Sequence, residues 1–208
     1  MRVTPFFTLL SPVLVMFSRV AFCYPGYMTH TYLSIPSDSP FSLVVTPYIA
    51  GGEDIFELVA RLALAGALQV VDGGNTFNAY RVAILLRRSI PDPQMALRRI
   101  ALARVFTCYQ MEALLVDRLT ETQPVLALDF LSTFSDENVS LMDRWRLLRA
   151  CTARLRQISR RAPVALWVRQ RQNLPPENEK FIQYLRRAAD KVWEFEAPVP
   201  VLLQPGLF

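Results

Sequence analysis

The sequence predicts an α/β domain in which a mostly parallel central sheet is flanked by helices on both faces. Short apolar runs, such as 41–46, 67–72 and 124–130, alternate with longer amphipathic segments of helical period. Strands that are apolar on both faces and separated by helices are typical of parallel sheets buried between two helix layers. A chain of 208 residues that is 52% hydrophobic is also long enough to bury such a core.

Strands and helices follow one another from residue 41 onward. Strand 41–46 leads to a helix over 54–65 that ends at Gly66, and 67–72 forms the next strand. The other predicted helices span 75–88, 94–99, 109–120, 139–160 and 181–189, and the other predicted strands span 101–107, 124–130, 163–168 and 191–196. We expect one α/β domain over 41–196, an N-terminal extension over 1–40 and a proline-containing tail over 197–208.

The N-terminal extension is ambiguous. Residues 3–17 are largely apolar and follow Arg2, as in a signal peptide. Pro5, Pro12 and Arg19 interrupt the apolar character, and the run is too short to span a bilayer comfortably. We favour a poorly ordered extension, or a start upstream of the true one, over a signal segment, and we expect no membrane span.

The cysteines and the histidine exclude several kinds of site. Cys23, Cys108 and Cys151 are far apart and form no C-x-x-C pair, which argues against a disulfide framework or a zinc site. They are typical of reduced, buried thiols in a cytoplasmic protein. His30 is the single histidine and lies outside the predicted domain, so a serine or cysteine nucleophile there would lack an imidazole base.

The charge is basic and almost entirely arginine. The formal net charge is +5, and of the 23 basic residues only Lys180 and Lys191 are lysine. Guanidinium groups suit bidentate contacts with phosphate or carboxylate, so an acidic partner such as nucleic acid is compatible with this composition. A mild excess of positive charge such as this one more often serves only to keep the protein surface soluble.

The segment between the first strand and the first helix lacks a phosphate-binding loop. Nucleotide-binding α/β proteins carry G-x-x-x-x-G-K-[ST] at this position. Gly51 and Gly52 are present here, but neither lysine nor a hydroxyl residue follows them. Glu53 and Asp54 instead place two negative charges at the helix N-terminus, where they repel a phosphate.

Several later motifs resemble the core of the RecA/RadA recombinases. In that family a strand ends in D-x-E-G-x-F and a later strand contains V-A-R-A-(F/Y)-x-x-x-H-Q; the similar stretches here are V-V-D-G-G-N-T-F over 70–77 and L-A-R-V-F-T-C-Y-Q-M over 102–111. Residues 124–130 resemble the Walker B strand, with Asp129 at its end, and 167–170 resemble the strand that ends in T-N-Q. Residues 187–195 are similar to a final strand shared with KaiC-like relatives, and all these motifs occur in the family's order.

The resemblance implies a RecA-like three-layer architecture with a degenerate nucleotide site. The family's catalytic glutamate corresponds to Gly74, and the loop lysine and hydroxyl are missing, so no catalytic residue and no cofactor are expected. The vestigial nucleotide or metal site would comprise Asp72, Asp129, Gln170, Gly51 and Gly52. Asp129 has an equally plausible role in capping a turn, and Asp72 is followed by good turn residues whatever its ancestry.

Arginines mark two candidate binding surfaces. Arg149, Arg156 and Arg160 share one stripe of the predicted 139–160 helix, and Arg169 and Arg171 lie at the start of a loop that the resemblance places at the family's DNA-binding loop. A solvated helix flank and an ordinary surface connection are the simpler interpretations.

The leading hypothesis is a non-catalytic RecA-like accessory factor in recombination or repair, with DNA or a recombinase- or polymerase-type protein as its partner. One alternative is an ATPase that uses an atypical phosphate loop with ATP and magnesium, and another is a RecA-like inhibitor that captures a partner without binding DNA. The oligomeric state is not predicted.

Overall fold

The computed structural model describes residues 40–47, 52–170 and 176–195. Strands and helices alternate along the described chain as β1 Phe41–Pro47, α1 Gly52–Ala65, β2 Leu68–Asp72, α2 Ala79–Arg87, α3 Pro93–Leu97, β3 Ile100–Arg104, α4 Cys108–Asp117, β4 Val125–Leu128, a 3-10 helix Phe130–Phe134, α5 Leu141–Ser159, β5 Val164–Gln170, α6 Pro176–Ala188 and β6 Lys191–Glu194. The predicted extension and tail, apart from Pro40, lie outside the described residues, so their limits stay predictions.

The strands form one six-stranded sheet in the order β3-β2-β4-β5-β1-β6. Every neighbouring pair is parallel. Central strands β2 and β4 are fully buried, which is why they are continuous apolar runs without alternation. The predicted α/β class with a parallel sheet between helix layers is confirmed.

The helices divide between the two faces of the sheet. One hydrophobic core contains α1, α2 and α3. These helices connect β1 to β2 and β2 to β3, and both connections run toward the β3 edge of the sheet. The second core contains α4, α5, α6 and the 3-10 helix, which lie in the connections from β3 to β4, β4 to β5 and β5 to β6, and these run toward the β6 edge. This division is expected, because right-handed crossovers that run in opposite directions along a sheet place their helices on opposite faces.

Side-chain caps decide where several helices begin. Asn78 accepts a hydrogen bond from the backbone N–H of Arg81, so α2 begins at Ala79 and not near the predicted Asn75. Asn75 itself has a left-handed backbone with φ of 52°. At the other end of the chain, α6 begins at Pro176, five residues before the predicted start, because proline suits the first turn of a helix.

One arginine of α5 is buried. Arg144 is 8% exposed and donates a hydrogen bond to the backbone carbonyl of Phe134. Spacing alone does not reveal this, because the arginine stem packs like an apolar chain while its head reaches a polar atom.

Among the described residues, no helix is long and apolar enough to cross a membrane.

We expect Cys108 and Cys151 to resist alkylation at pH 8 in the folded protein and to react on unfolding. Both thiols are buried. Burial raises the pKa of Cys151 to about 12 and also raises the pKa of Cys108, so neither forms the reactive thiolate at pH 8. Peptide mapping after iodoacetamide treatment, with and without urea, measures this protection. Modification of either cysteine without urea would contradict the packing of α4 against α5.

Candidate functional site

The parallel sheet places several predicted site residues at one edge. Asp72 ends β2, Asp129 follows β4, and Arg169 and Gln170 end β5. Because β2, β4 and β5 are neighbours, the carboxyl ends of these strands lie side by side. Ligands of open parallel sheets bind at this edge, so it is the first place to test for a site.

The Asp72 carboxylate holds the loop that follows β2. It is fully buried and accepts hydrogen bonds from the backbone N–H groups of Thr76 and Phe77, each at 2.9 Å. The Thr76 hydroxyl donates a third hydrogen bond at 3.2 Å, and Arg104 Nε lies 3.4 Å from the same carboxylate. These contacts support the turn-and-cap interpretation of Asp72, since its oxygens are occupied by the protein.

The Asp129 carboxylate is paired with Arg169. Arg169 Nε donates to Asp129 Oδ2 at 3.0 Å, and Nη2 contacts the same oxygen. The Asp129 side chain is 2% exposed and that of Arg169 is 18% exposed, so this ion pair is largely removed from water. Asp129 also has a left-handed backbone with φ of 47° and ψ of 48°, which is uncommon for a residue other than glycine.

Gly74 lies directly against this ion pair. A Cβ atom at position 74 would approach Asp129 Oδ2 to 2.3 Å and Asp129 Cβ to 2.6 Å, both far closer than van der Waals contact. The position that the resemblance assigns to the catalytic glutamate therefore has no room for a side chain. Asp129 fills that space from the neighbouring strand.

A small cavity adjoins the ion pair. It is bounded by Asp129, Ser135, Arg169 and Asn178, among others, and its volume of about 10 Å³ corresponds to a single water molecule. Asn178 is buried and donates through Nδ2 to Ser135 Oγ at 3.1 Å, while its Oδ1 has no hydrogen-bond partner in the described part of the protein. One water donating to that oxygen would satisfy it, whereas a nucleotide would not fit the cavity.

The structure describes only some of the other predicted site residues. Gln170 is the exposed last residue of β5, and Gly52 is the first residue of α1. Gly51 and Arg171 lie outside the described residues. Arg169, which we expected to reach phosphates from a loop, lies in β5 and contacts Asp129 instead. No group of three or more histidine, cysteine, aspartate or glutamate side chains that could hold a metal occurs in the described part of the chain.

The sequence reasoning missed Arg104 and the approach of Asp129 to Gly74. Arg104 Nη2 donates to the Phe77 carbonyl at 3.1 Å, so it joins the end of β3 to the loop that Asp72 holds. The predicted strand over 101–107 put Arg104 in its middle, whereas the structure ends β3 at Arg104 and pairs it with Asp72. The Gly74 contact had no signal in the sequence, since it joins loops that follow different strands.

The predicted arginine stripe lies elsewhere, on the solvent side of α5. Arg149, Arg156 and Arg160 are all exposed. Arg156 pairs with Asp190 at 2.5 Å, whereas Arg149 and Arg160 have no carboxylate partner among the described residues. The structure therefore separates the stripe from Arg169 and does not form one continuous cluster of them.

The β3 edge of the sheet is open. In the part of the chain that the structure describes, β3 pairs only with β2, and its residues are half-buried or exposed. Val105 N–H donates to the Asp72 carbonyl and Leu68 N–H donates to the Arg99 carbonyl, so odd-numbered residues face β2. The backbone groups of Ile100, Leu102 and Arg104 consequently point away from the sheet.

Apolar side chains are exposed near this edge. Leu102 is 39% exposed, and Phe106, just after β3, is 67% exposed. An open edge strand with exposed apolar neighbours is a ready template for another strand. We call β3 with Leu102 and Phe106 the β3 surface.

No protein-family model matches the chain, and no curated protein is significantly similar to it in sequence. The RecA/RadA resemblance therefore stays a prediction that depends on the motifs.

We expect Gly74→Ala to destabilise the fold by about 1–3 kcal/mol, because the new methyl group must displace Asp129. Gly66→Ala is the matched control: a Cβ at position 66 meets nothing within 4 Å, so we expect it to be neutral or to stabilise by up to about 1 kcal/mol. Urea unfolding of both variants measures the difference. Equal effects at the two positions would contradict the close approach of Gly74 to Asp129.

Proposed function

We propose that this chain is a non-catalytic protein of the RecA/RadA type that acts by binding a protein partner, as an accessory factor in recombination or repair. The observation that carries the proposal is the Asp129–Arg169 ion pair packed on Gly74. A RecA-type ATPase needs a glutamate side chain at position 74 and a carboxylate after β4 that is available to magnesium. Here that carboxylate contacts a guanidinium and fills the space of the glutamate.

The arrangement of the motifs supports the family assignment. The D-G-G-N stretch follows β2, Asp129 follows β4, and the stretch that resembles T-N-Q ends β5. These strands are neighbours in a parallel sheet, so the motifs converge at one edge, as they would in a nucleotide-binding ancestor. Fold-level similarity does not by itself assign a function, which is why the proposal depends on the site.

The β3 surface supplies the binding mode. An extended segment of a partner would add as a further strand, with hydrogen bonds to the outward backbone groups of Ile100, Leu102 and Arg104. Exposed Leu102 and Phe106 would contact apolar side chains of that segment, and aromatic residues such as Phe106 are enriched in the cores of protein interfaces. The binding function thus uses backbone and apolar contacts and needs no nucleotide.

We expect Leu102→Lys to abolish partner capture. A lysine on the edge strand opposes the docking of another strand, and the 39% exposed position tolerates the change. Met142→Lys, at a 79% exposed position on α5, is the control with the same change of charge. Affinity capture from cells that produce the protein, quantified by mass spectrometry, compares both variants with the wild type.

The proposal predicts a protein that the wild type and Met142→Lys retain equally and that Leu102→Lys loses by about tenfold or more, the equivalent of about 1.4 kcal/mol. Identical capture by all three proteins would contradict the role of the β3 surface.

We expect magnesium-ATP to leave the melting midpoint unchanged. A ligand at one hundred times its dissociation constant would stabilise the protein by about 2.7 kcal/mol, which is readily measured. A raised midpoint, or magnesium-dependent ATP hydrolysis that Asp129→Asn removes, would favour the alternative of an ATPase with an atypical loop.

A further inference from the structure

We propose that the exposed stripe of α5 binds the phosphate backbone of duplex DNA. This is a second binding activity, on a different face from the β3 surface. Arg149 and Arg156 lie on the 19-residue helix α5, Arg160 is the residue at its C-cap, and all three are exposed. Arg156 and Arg160 follow Arg149 by seven and eleven residues, which is about two and three helical turns. The three side chains therefore lie within about 20° of one line along the helix.

The stripe is held on a rigid support. The opposite side of α5 contributes Leu148, Cys151, Leu155 and Ile158 to the core, each no more than 1% exposed. From Arg149 to Arg160 the helix rises by about 16 Å. Duplex DNA carries one phosphate per about 3.4 Å of each strand, so the stripe is long enough to contact several phosphates.

Asp143 and Glu121 do not cancel the charge of Arg149 and Arg160. Asp143 is the one acidic residue of α5 and lies in its first turn, where it accepts a hydrogen bond from the Ser140 hydroxyl at 2.7 Å. Glu121 contacts Arg154 at 2.5 Å and Arg161 at 2.8 Å, and the hydrogen bond from Arg154 lowers the pKa of Glu121. Two arginines outside the stripe thus neutralise Glu121.

Arg149 and Arg160, which have no carboxylate partner within the described ranges, carry most of the positive charge of the stripe. Arg149 lies over the Trp145 ring at 5.6 Å from its centroid, which orders the guanidinium while leaving donors for phosphate. Arg160 lies at the end of α5. Arg156, between them, is already paired with Asp190 and stacked over Phe41, so it contributes less charge.

Duplex DNA is favoured over a single strand by the aromatic residues. Proteins that bind single strands without sequence preference use exposed aromatic rings on which bases stack. Trp145 is half-buried, with its ring edge-on to Phe181 at 4.7 Å and to Tyr184 at 5.8 Å. The stripe therefore offers guanidinium groups for a backbone and no free stacking platform.

The test is a titration of labelled 20-base-pair duplex, the matching single strand and polyglutamate at several salt concentrations. The variant Arg149→Gln/Arg160→Gln removes the two free charges. Arg87→Gln/Arg88→Gln is the control, since it removes two exposed arginines from the end of α2 on the opposite face of the sheet. Circular dichroism confirms that both variants are folded.

We expect the α5 variant to bind duplex about tenfold more weakly at low salt and the control to bind like the wild type. The slope of log K against log salt should fall in magnitude by about 1.8, since each phosphate contact contributes about 0.9. Equal weakening by both variants would show a net-charge effect and overturn the proposal. The proposal would also be overturned if no duplex binding occurred at about 50 mM salt, or if the single strand bound more tightly than the duplex. Equal affinity for polyglutamate would overturn it too, because it would indicate that the stripe binds an acidic protein surface. None of these outcomes affects partner capture at the β3 surface, so the two proposals fail separately.

Discussion

The structure at the carboxyl edge of the sheet depends on the ion pair between Asp129 and Arg169. Both charges are largely removed from water, so each needs the other. Removing one partner of such a pair typically costs about 3–5 kcal/mol, because an unpaired charge stays buried. The pair connects the ends of β4 and β5, and its carboxylate packs on Gly74 after β2, so one interaction ties together the ends of three neighbouring strands.

This interaction also limits the chemistry of the edge. The Asp129 carboxylate already contacts an arginine, and the Asp72 carboxylate accepts hydrogen bonds from backbone N–H groups. No side chain fits at Gly74. A site for phosphoryl transfer needs charged groups aimed at a ligand, whereas these groups are aimed at one another. The two proposed binding surfaces lie elsewhere, at the edge strand β3 and on the exposed face of α5.

Hydrophobic patterning predicted most of the fold. Central strands are continuous apolar runs, and each predicted strand and helix overlaps an observed one, since burial on both faces of a sheet leaves a strong local signal. The boundaries differed where single residues decided them: Asn78 caps α2, and Pro176 is the first residue of α6. The buried Arg144 was also hidden, because its partner is the carbonyl of Phe134 in another element.

The sequence by itself determined the α/β class, the order of the elements and the presence of Asp72, Asp129 and Gly74 at or just after the carboxyl ends of strands. It could do so because periodicity and turn residues are local properties of the chain. Only the tertiary structure decided that Arg169 contacts Asp129, that Asp129 takes the place of a side chain at Gly74, and that β3 lies at the edge of the described sheet. Those outcomes depend on which strands become neighbours, and strand order is set by packing between residues far apart in sequence.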